Sequence, residues 1–147
     1  PNGESFKFHI VVSQWNKFIT DSLLNAAKET LTNAGVKNEN ITVWYVPGSF
    51  ELIYGSKKAQ EGNPNAVIAV GSIIKGETKH FEYVCQAVTH GIKDLNVNSD
   101  VPVIFCVLTD LNIEQAKARS GGKHGNKGAE AAIAALKMAE LNKNSKK

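Results

Sequence analysis

Apolar residues along the chain alternate between two spacings. Residues 6–13 (FKFHIVVS) and 41–46 (ITVWYV) are short runs rich in β-branched and aromatic side chains, which predicts strands. Residues 66–74 (AVIAVGSII) and 101–109 (VPVIFCVLT) are apolar almost without interruption, as in strands covered on both faces. Between the first two runs, Ile19, Leu23, Ala27, Leu31 and Ala34 recur at helical spacing over 18–34, and Gly35 stops them. Pro47-Gly48 breaks the second strand ahead of a helix over 50–61, ended by Gly62. Phe81, Val84, Cys85, Val88, Ile92 and Leu95 share one face of a helix over 78–96. A short helix over 112–119 follows the last strand. A long Ala-rich one over 126–141 is expected to turn Ala132, Ile133, Leu136 and Ala139 inward.

Helices between all successive strands predict right-handed crossovers and a parallel sheet. The expected fold is α/β: a three-layer α/β/α sandwich on a four-stranded parallel sheet, in the flavodoxin-like order 2-1-3-4. With 147 residues and no repeat, linker or low-complexity stretch, residues 1–147 read as a single domain, with 1–5 and 143–147 as flexible ends. A hydrophobic fraction of 42% and a charged fraction of 21% exclude disordered, collagen-like and coiled-coil classes.

Net charge is +3, too mild to predict nucleic-acid binding, and Lys137, Lys143, Lys146 and Lys147 near the carboxyl end read as a solvated tail. No apolar stretch reaches the about 18 residues of a membrane span, so no membrane partner is expected. Cys85 and Cys106 sit in apolar runs without metal spacing. They read as buried, reduced thiols in a reducing compartment. The polar amino end lacks a signal-peptide core, and a cytoplasmic location is expected; a plastid location after removal of a leader ahead of Pro1 stays open.

Open parallel sheets bind ligands beyond the carboxyl ends of their strands, where strand order reverses. For order 2-1-3-4 that point lies between strands one and three, beside Gln14-Trp15-Asn16 and Lys75-Gly76-Glu77-Thr78-Lys79-His80. The first loop offers an aromatic plane where a short polar turn would do. In the second, Thr78 is an N-cap candidate, and the free N–H groups behind it, with Lys75 and Lys79, would form an anion site. His80 falls in the first turn of that helix, where an imidazole beside an anion can serve as general base and acid. The same residues would also suit an ordinary capped helix with solvated lysines. Val46-Pro47-Gly48-Ser49-Phe50-Glu51 opens the second helix; Ser49, Phe50 and Glu51 could bind a polyhydroxyl ligand or simply cap and staple it. The stretch from Arg119 to Gly128 holds four glycines and three cations. It reads either as a solvated turn or as the second half of an anion site, with Arg119 as a bidentate clamp. The four histidines lack metal-ligand spacing, and no metal is expected.

These blocks, together with Gly71-Ser72-Ile73-Ile74, Phe81-Glu82-Tyr83-Val84-Cys85, Pro102 to Thr109 and Gln115 to Glu130, resemble the lumazine synthase family of riboflavin biosynthesis along nearly the whole chain. The resemblance implies a transferase. It would condense 5-amino-6-ribitylamino-2,4(1H,3H)-pyrimidinedione with 3,4-dihydroxy-2-butanone 4-phosphate, releasing 6,7-dimethyl-8-ribityllumazine, inorganic phosphate and water without a cofactor. The alternative is a non-catalytic flavin- or riboflavin-binding flavodoxin-like module. By resemblance, Trp15 would stack on the pyrimidinedione. Ser49, Phe50 and Glu51 would bind ring and ribityl chain, and Ser72, Ile73 and Ile74 would line the ring pocket. Glu77, Thr78 and Arg119 would hold phosphate, with Lys127 behind them, and His80 would move protons. Phe105 would cover the ring from a neighbouring subunit. The family also implies a homopentamer, or a sixty-subunit icosahedral capsid of pentamers, with riboflavin synthase as a partner. Trp15 stands where Phe is frequent and Lys75 where Arg is. Glu77 brings a negative charge to the expected phosphate site.

Overall fold

The computed structural model describes residues 2–146. The strand-like runs become β1 (Phe8–Ser13), β2 (Ile41–Val46), β3 (Ala66–Ile74) and β4 (Val103–Asp110). They form one parallel sheet in the order β2-β1-β3-β4, the order expected of a flavodoxin-like fold. In the register, Ile10 stands beside Val43 on one side and Ile68 on the other. The helices are α1 (Lys17–Asn33), α2 (Leu52–Glu61), α3 (His80–Val97), α4 (Ile113–Arg119) and α5 (Lys127–Ser145).

Side chains alternate across a strand, so β3 feeds two cores. Ile68 and Val70 join Leu23, Leu31, Ala132 and Leu136 beneath α1 and α5. Val67 and Ala69 join Leu52, Ala59, Val88 and Ile92 beneath α2 and α3. The three-layer α/β/α arrangement follows from this. Among the described residues, no helix is long and apolar enough to cross a membrane.

Several details differ from the sequence reading. The first strand begins at Phe8, although Phe6 is also buried and meets the Phe8 ring edge-on, with centroids 6.2 Å apart. The third helix begins at His80, and its N-cap is Lys79 rather than Thr78; the Thr78 hydroxyl accepts the His80 N–H at 3.3 Å from outside the helix. Ile133 is exposed: α5 buries Ala131, Ala132, Ala135, Leu136 and Ala139, and the helical period turns Ile133 away from that stripe. Strand β4 is not covered along both faces. It is an edge strand, and Phe105 stands out of it 43% exposed.

Cys106 is buried, its thiol donates to the Lys127 carbonyl at 3.6 Å, and burial pushes its pKa up to about 12. Cys85 is only half-buried, at the margin of the α2–α3 layer. The glycine-rich stretch is a hairpin of β5 (Ser120–Gly122) and β6 (Gly125–Asn126). Helix α5 continues through Ser145, so Lys137 and Lys143 lie on a helix, Lys143 with its ammonium 5.9 Å from the centre of the Phe6 ring. Near the other end, the Gly3 N–H donates to the Ala34 carbonyl at 2.8 Å. The expectation of flexible ends and a solvated tail also touches Pro1 and Lys147, which lie outside the described residues.

Candidate active site

A cavity of about 430 Å³ opens where the strand order reverses, at the carboxyl ends of β1 and β3. The turn after β1 contributes Trp15 and Asn16, and the segment after β2 contributes Gly48, Ser49, Phe50 and Glu51. Ser72, Ile73 and Ile74 come from the end of β3, and His80 and Val84 from the start of α3. Trp15, Ser49, Phe50, Glu51, Ser72, Ile73, Ile74 and His80, distant in sequence and singled out there, thus line one space.

Backbone constraints hold this wall. Asn16 adopts a left-handed conformation (φ 57°), which Asn tolerates better than most residues, and its amide donates to the Ser72 carbonyl at 2.9 Å. That bond ties the β1 turn to β3. The Trp15 N–H donates to the Pro47 carbonyl at 3.1 Å, tying the same turn to the segment after β2. Trp15 is 68% exposed and offers its indole as a flat apolar surface open to solvent. One Glu51 carboxylate oxygen accepts the Gly48 N–H at 2.9 Å, fixing the start of a 3₁₀ turn over Ser49–Glu51. A Cβ on Gly71 would lie 2.7 Å from the Ser49 hydroxyl and 2.9 Å from Leu52, so a side chain there would have to displace both. The Ser72 hydroxyl is buried without a hydrogen-bond partner among the described residues.

Residues 75–79 leave β3 as an exposed loop. Its start is pinned where the Lys75 N–H donates to the Asp110 carbonyl at 2.9 Å. Glu77 and Thr78 sit in this loop beside His80 but do not line the cavity. Phe105, Arg119 and Lys127 lie elsewhere. They share a second cavity of about 360 Å³ along the β4 edge with Thr109 and Glu130. Lys127 pairs with Glu130 at 3.3 Å in the open, whereas the Arg119 Nη1 donates at 2.5 Å to the fully buried carboxylate of Asp110. Burial holds the Asp110 carboxyl above its ordinary pKa, while the Arg119 guanidinium pulls it back down. Among the described residues, no three His, Cys, Asp or Glu side chains converge as metal ligands.

Sequence reasoning missed Asn16, Gly48 and Val84 as lining residues, and Asp110 altogether. Asn16 was legible in part, as a residue suited to a left-handed turn next to an exposed aromatic. Asp110 had no signal: it ends an apolar strand and meets Arg119 only because α4 folds back.

A family model described as 6,7-dimethyl-8-ribityllumazine synthase matches residues 5–143. The chain belongs to the 6,7-dimethyl-8-ribityllumazine synthase family. The 6,7-dimethyl-8-ribityllumazine synthase of Christiangramia forsetii is 62% identical over 148 residues, spanning 99% of this chain and 88% of that protein. That of Flavobacterium johnsoniae is 61% identical over 142 residues, 96% of this chain and 75% of its own length. That of Porphyromonas gingivalis is 51% identical over 142 residues, 96% and 88% respectively. As a lumazine synthase, the chain is a transferase of riboflavin biosynthesis acting on small molecules, not a non-catalytic flavin holder. In this chain, the residues matching the family's blocks fall into two groups, one at the strand ends and one along the β4 edge.

Proposed function

We propose that this enzyme condenses 5-amino-6-ribitylamino-2,4(1H,3H)-pyrimidinedione with 3,4-dihydroxy-2-butanone 4-phosphate to give 6,7-dimethyl-8-ribityllumazine. The observation that carries the reading is the cavity at the strand ends, where an open indole plane, a half-buried carboxylate and one histidine stand together. Trp15 stacks on the pyrimidinedione, and Ile73 and Ile74 flank the ring. Ser49, Phe50, Glu51 and Ser72 take its polar edge and the ribityl hydroxyls. Loop 75–79 presents backbone N–H groups and the Thr78 hydroxyl to phosphate. That hydroxyl accepts from the His80 N–H through its oxygen, which leaves its hydrogen free to donate. Glu77 is exposed, so its side chain can stay in water while its N–H serves the anion.

The amine attacks the ketone, and loss of water gives an imine. A proton then leaves C3 as phosphate departs from C4 with the C–O electron pair. The enol so formed becomes a ketone, which the ribitylamino nitrogen attacks, and a second water is lost on ring closure. His80 carries these protons. Holding the two reactants together can supply roughly 7–11 kcal/mol of the barrier lowering. A charge-complementary phosphate site stabilises the leaving group.

Arg119 and Phe105 enter from a neighbouring subunit, Arg119 as phosphate clamp with Lys127 behind it and Phe105 over the ring. The support is spatial: they occupy a different cavity from His80, on an uncovered sheet edge. A ring of five subunits would bring one chain's β4 edge to the next chain's strand ends. The compact β5–β6 hairpin, with only Lys123 and His124 between its strands, favours assembly of such rings into a capsid.

The test is to mix both compounds with pure protein and follow lumazine absorbance. Product must form with the wild type; its absence would sink the assignment. His80→Ala should still turn over, slowed toward the low end of the about 10²–10⁴-fold typical of acid–base groups. Full rate in that variant from about pH 6 to 8 would remove His80 from the proton steps.

A further inference from the structure

We infer that Asp110 is the positioning residue of Arg119, holding one edge of its guanidinium so that the remaining N–H groups face a phosphate. This rests on the proposed role of Arg119 as a phosphate ligand. Asp110 is the last residue of β4 and is completely buried. One of its oxygens accepts from Arg119 Nη1 at 2.5 Å, and the other has no hydrogen-bond partner among the described residues. A half-satisfied buried carboxylate is a poor stability device, because an apolar side chain of similar volume avoids the desolvation cost. What the carboxylate adds is direction. Arg119 ends a helix of only seven residues, and its side chain is 43% exposed. Without a fixed acceptor such a side chain samples many rotamers.

With Nη1 held, the guanidinium keeps its other N–H donors on a defined plane beside Phe105 and Lys127. Lys127 has no comparable anchor, since its partner Glu130 is itself 60% exposed. The Asp110 carbonyl meanwhile holds the Lys75 N–H at 2.9 Å, at the root of loop 75–79. One residue thus ties this chain's own phosphate loop, through its backbone, to the arginine it offers to the neighbouring subunit's phosphate, through its side chain.

The experiment measures KM for the phosphorylated ketone and for the amine, inhibition by inorganic phosphate, and thermal midpoint, in Asp110→Ala, Asp110→Asn and Arg119→Ala. Asp110→Ala should raise the ketone KM and the inhibition constant for phosphate at least about 10-fold, the scale of a lost charged hydrogen bond, and leave the amine KM unchanged. Asp110→Asn keeps a side-chain oxygen in place and should restore most of the loss. Placed on Arg119→Ala, Asp110→Ala should add nothing further. If the alanine variant does not fold, Asp110→Leu, of similar shape without an acceptor, takes its place. Tighter phosphate binding in both Asp110→Ala and Asp110→Asn would make Asp110 an electrostatic brake and overturn the inference. So would equal weakening for both substrates. A ketone KM raised by Arg119→Ala but not by Asp110→Ala leaves the phosphate role of Arg119 standing and removes Asp110 from it. A ketone KM unmoved by Arg119→Ala fails the role of Arg119, and the inference with it.

Discussion

Trp15 and Trp44 occupy contrasting settings, which makes the role of the first measurable. Trp15 lines the cavity with 68% of its surface exposed. Trp44 lies on the edge strand β2 and donates through Nε1 to His9 Nδ1 at 3.1 Å. Riboflavin, a flat ribityl-bearing ligand, should quench Trp15 fluorescence in the wild type and in Trp44→Phe. Trp15→Ala should lose most of that quenching and bind riboflavin more weakly, by the contact area plus about 0.5–1.5 kcal/mol for aromatic pairing. Equal quenching without Trp15 would show that the ring binds elsewhere. His9 carries a separate prediction. Burial lowers its pKa, and the neutral ring is the form whose Nδ1 can accept from Trp44. In the unfolded chain His9 titrates near the ordinary value of about 6.5. Below that pH the unfolded state takes up a proton that the folded state resists, so this contribution to stability is present above pH 6.5 or so and is lost as pH falls toward the lower folded pKa. Urea midpoints should therefore drop less between pH 7.5 and 5 in His9→Gln than in the wild type; identical slopes would exclude His9 as a source.

Helix α5 enters beside α1 at a point where no side chain fits. A Cβ on Gly128 would overlap the Leu23 carbonyl oxygen, a backbone atom that cannot swing aside. Gly128→Ala should therefore push the two helices apart and cost about 1–3 kcal/mol, read from a denaturant midpoint. Gly76→Ala is the control, because nothing lies within 4 Å of its Cβ position. Its midpoint should stay within about 0.5 kcal/mol of the wild type. The long elements were legible because burial on one side repeats along them, as Leu23, Ala27 and Leu31 do on α1. The β5–β6 hairpin was not: strands of three and two residues are too short for any period, and glycines there read equally as a loose turn.

Across the molecule, the residues assigned to one reaction divide between two cavities. If adjacent subunits complete each site, two damaged proteins should repair one another. His80→Ala and Arg119→Ala are unfolded separately, then mixed in equal amounts and refolded together. With random assembly, about a quarter of the interfaces pair an intact His80 with an intact Arg119. The mixture should then exceed the activity of either variant refolded alone. Mixed oligomers, verified as such, that give only the average of the two would place each site within one chain.

The order of strands and helices, the parallel sheet and the place of the strand-end cavity all follow from local patterns: apolar period, Gly and Pro breaks, and the rule that ligands sit where strand order reverses. Trp15, Ser49 and His80 were readable for that reason, each lying just past a strand on the side that the topology selects. Packing decided which stripe of α5 turns inward and so leaves Ile133 out, that Phe105 stands exposed on an edge, and that Arg119 meets Asp110. Each of these depends on how elements remote in sequence, or joined by a short turning helix, settle against one another. A buried carboxylate and the guanidinium it holds become neighbours only once β4 and α4 have found their places on the sheet.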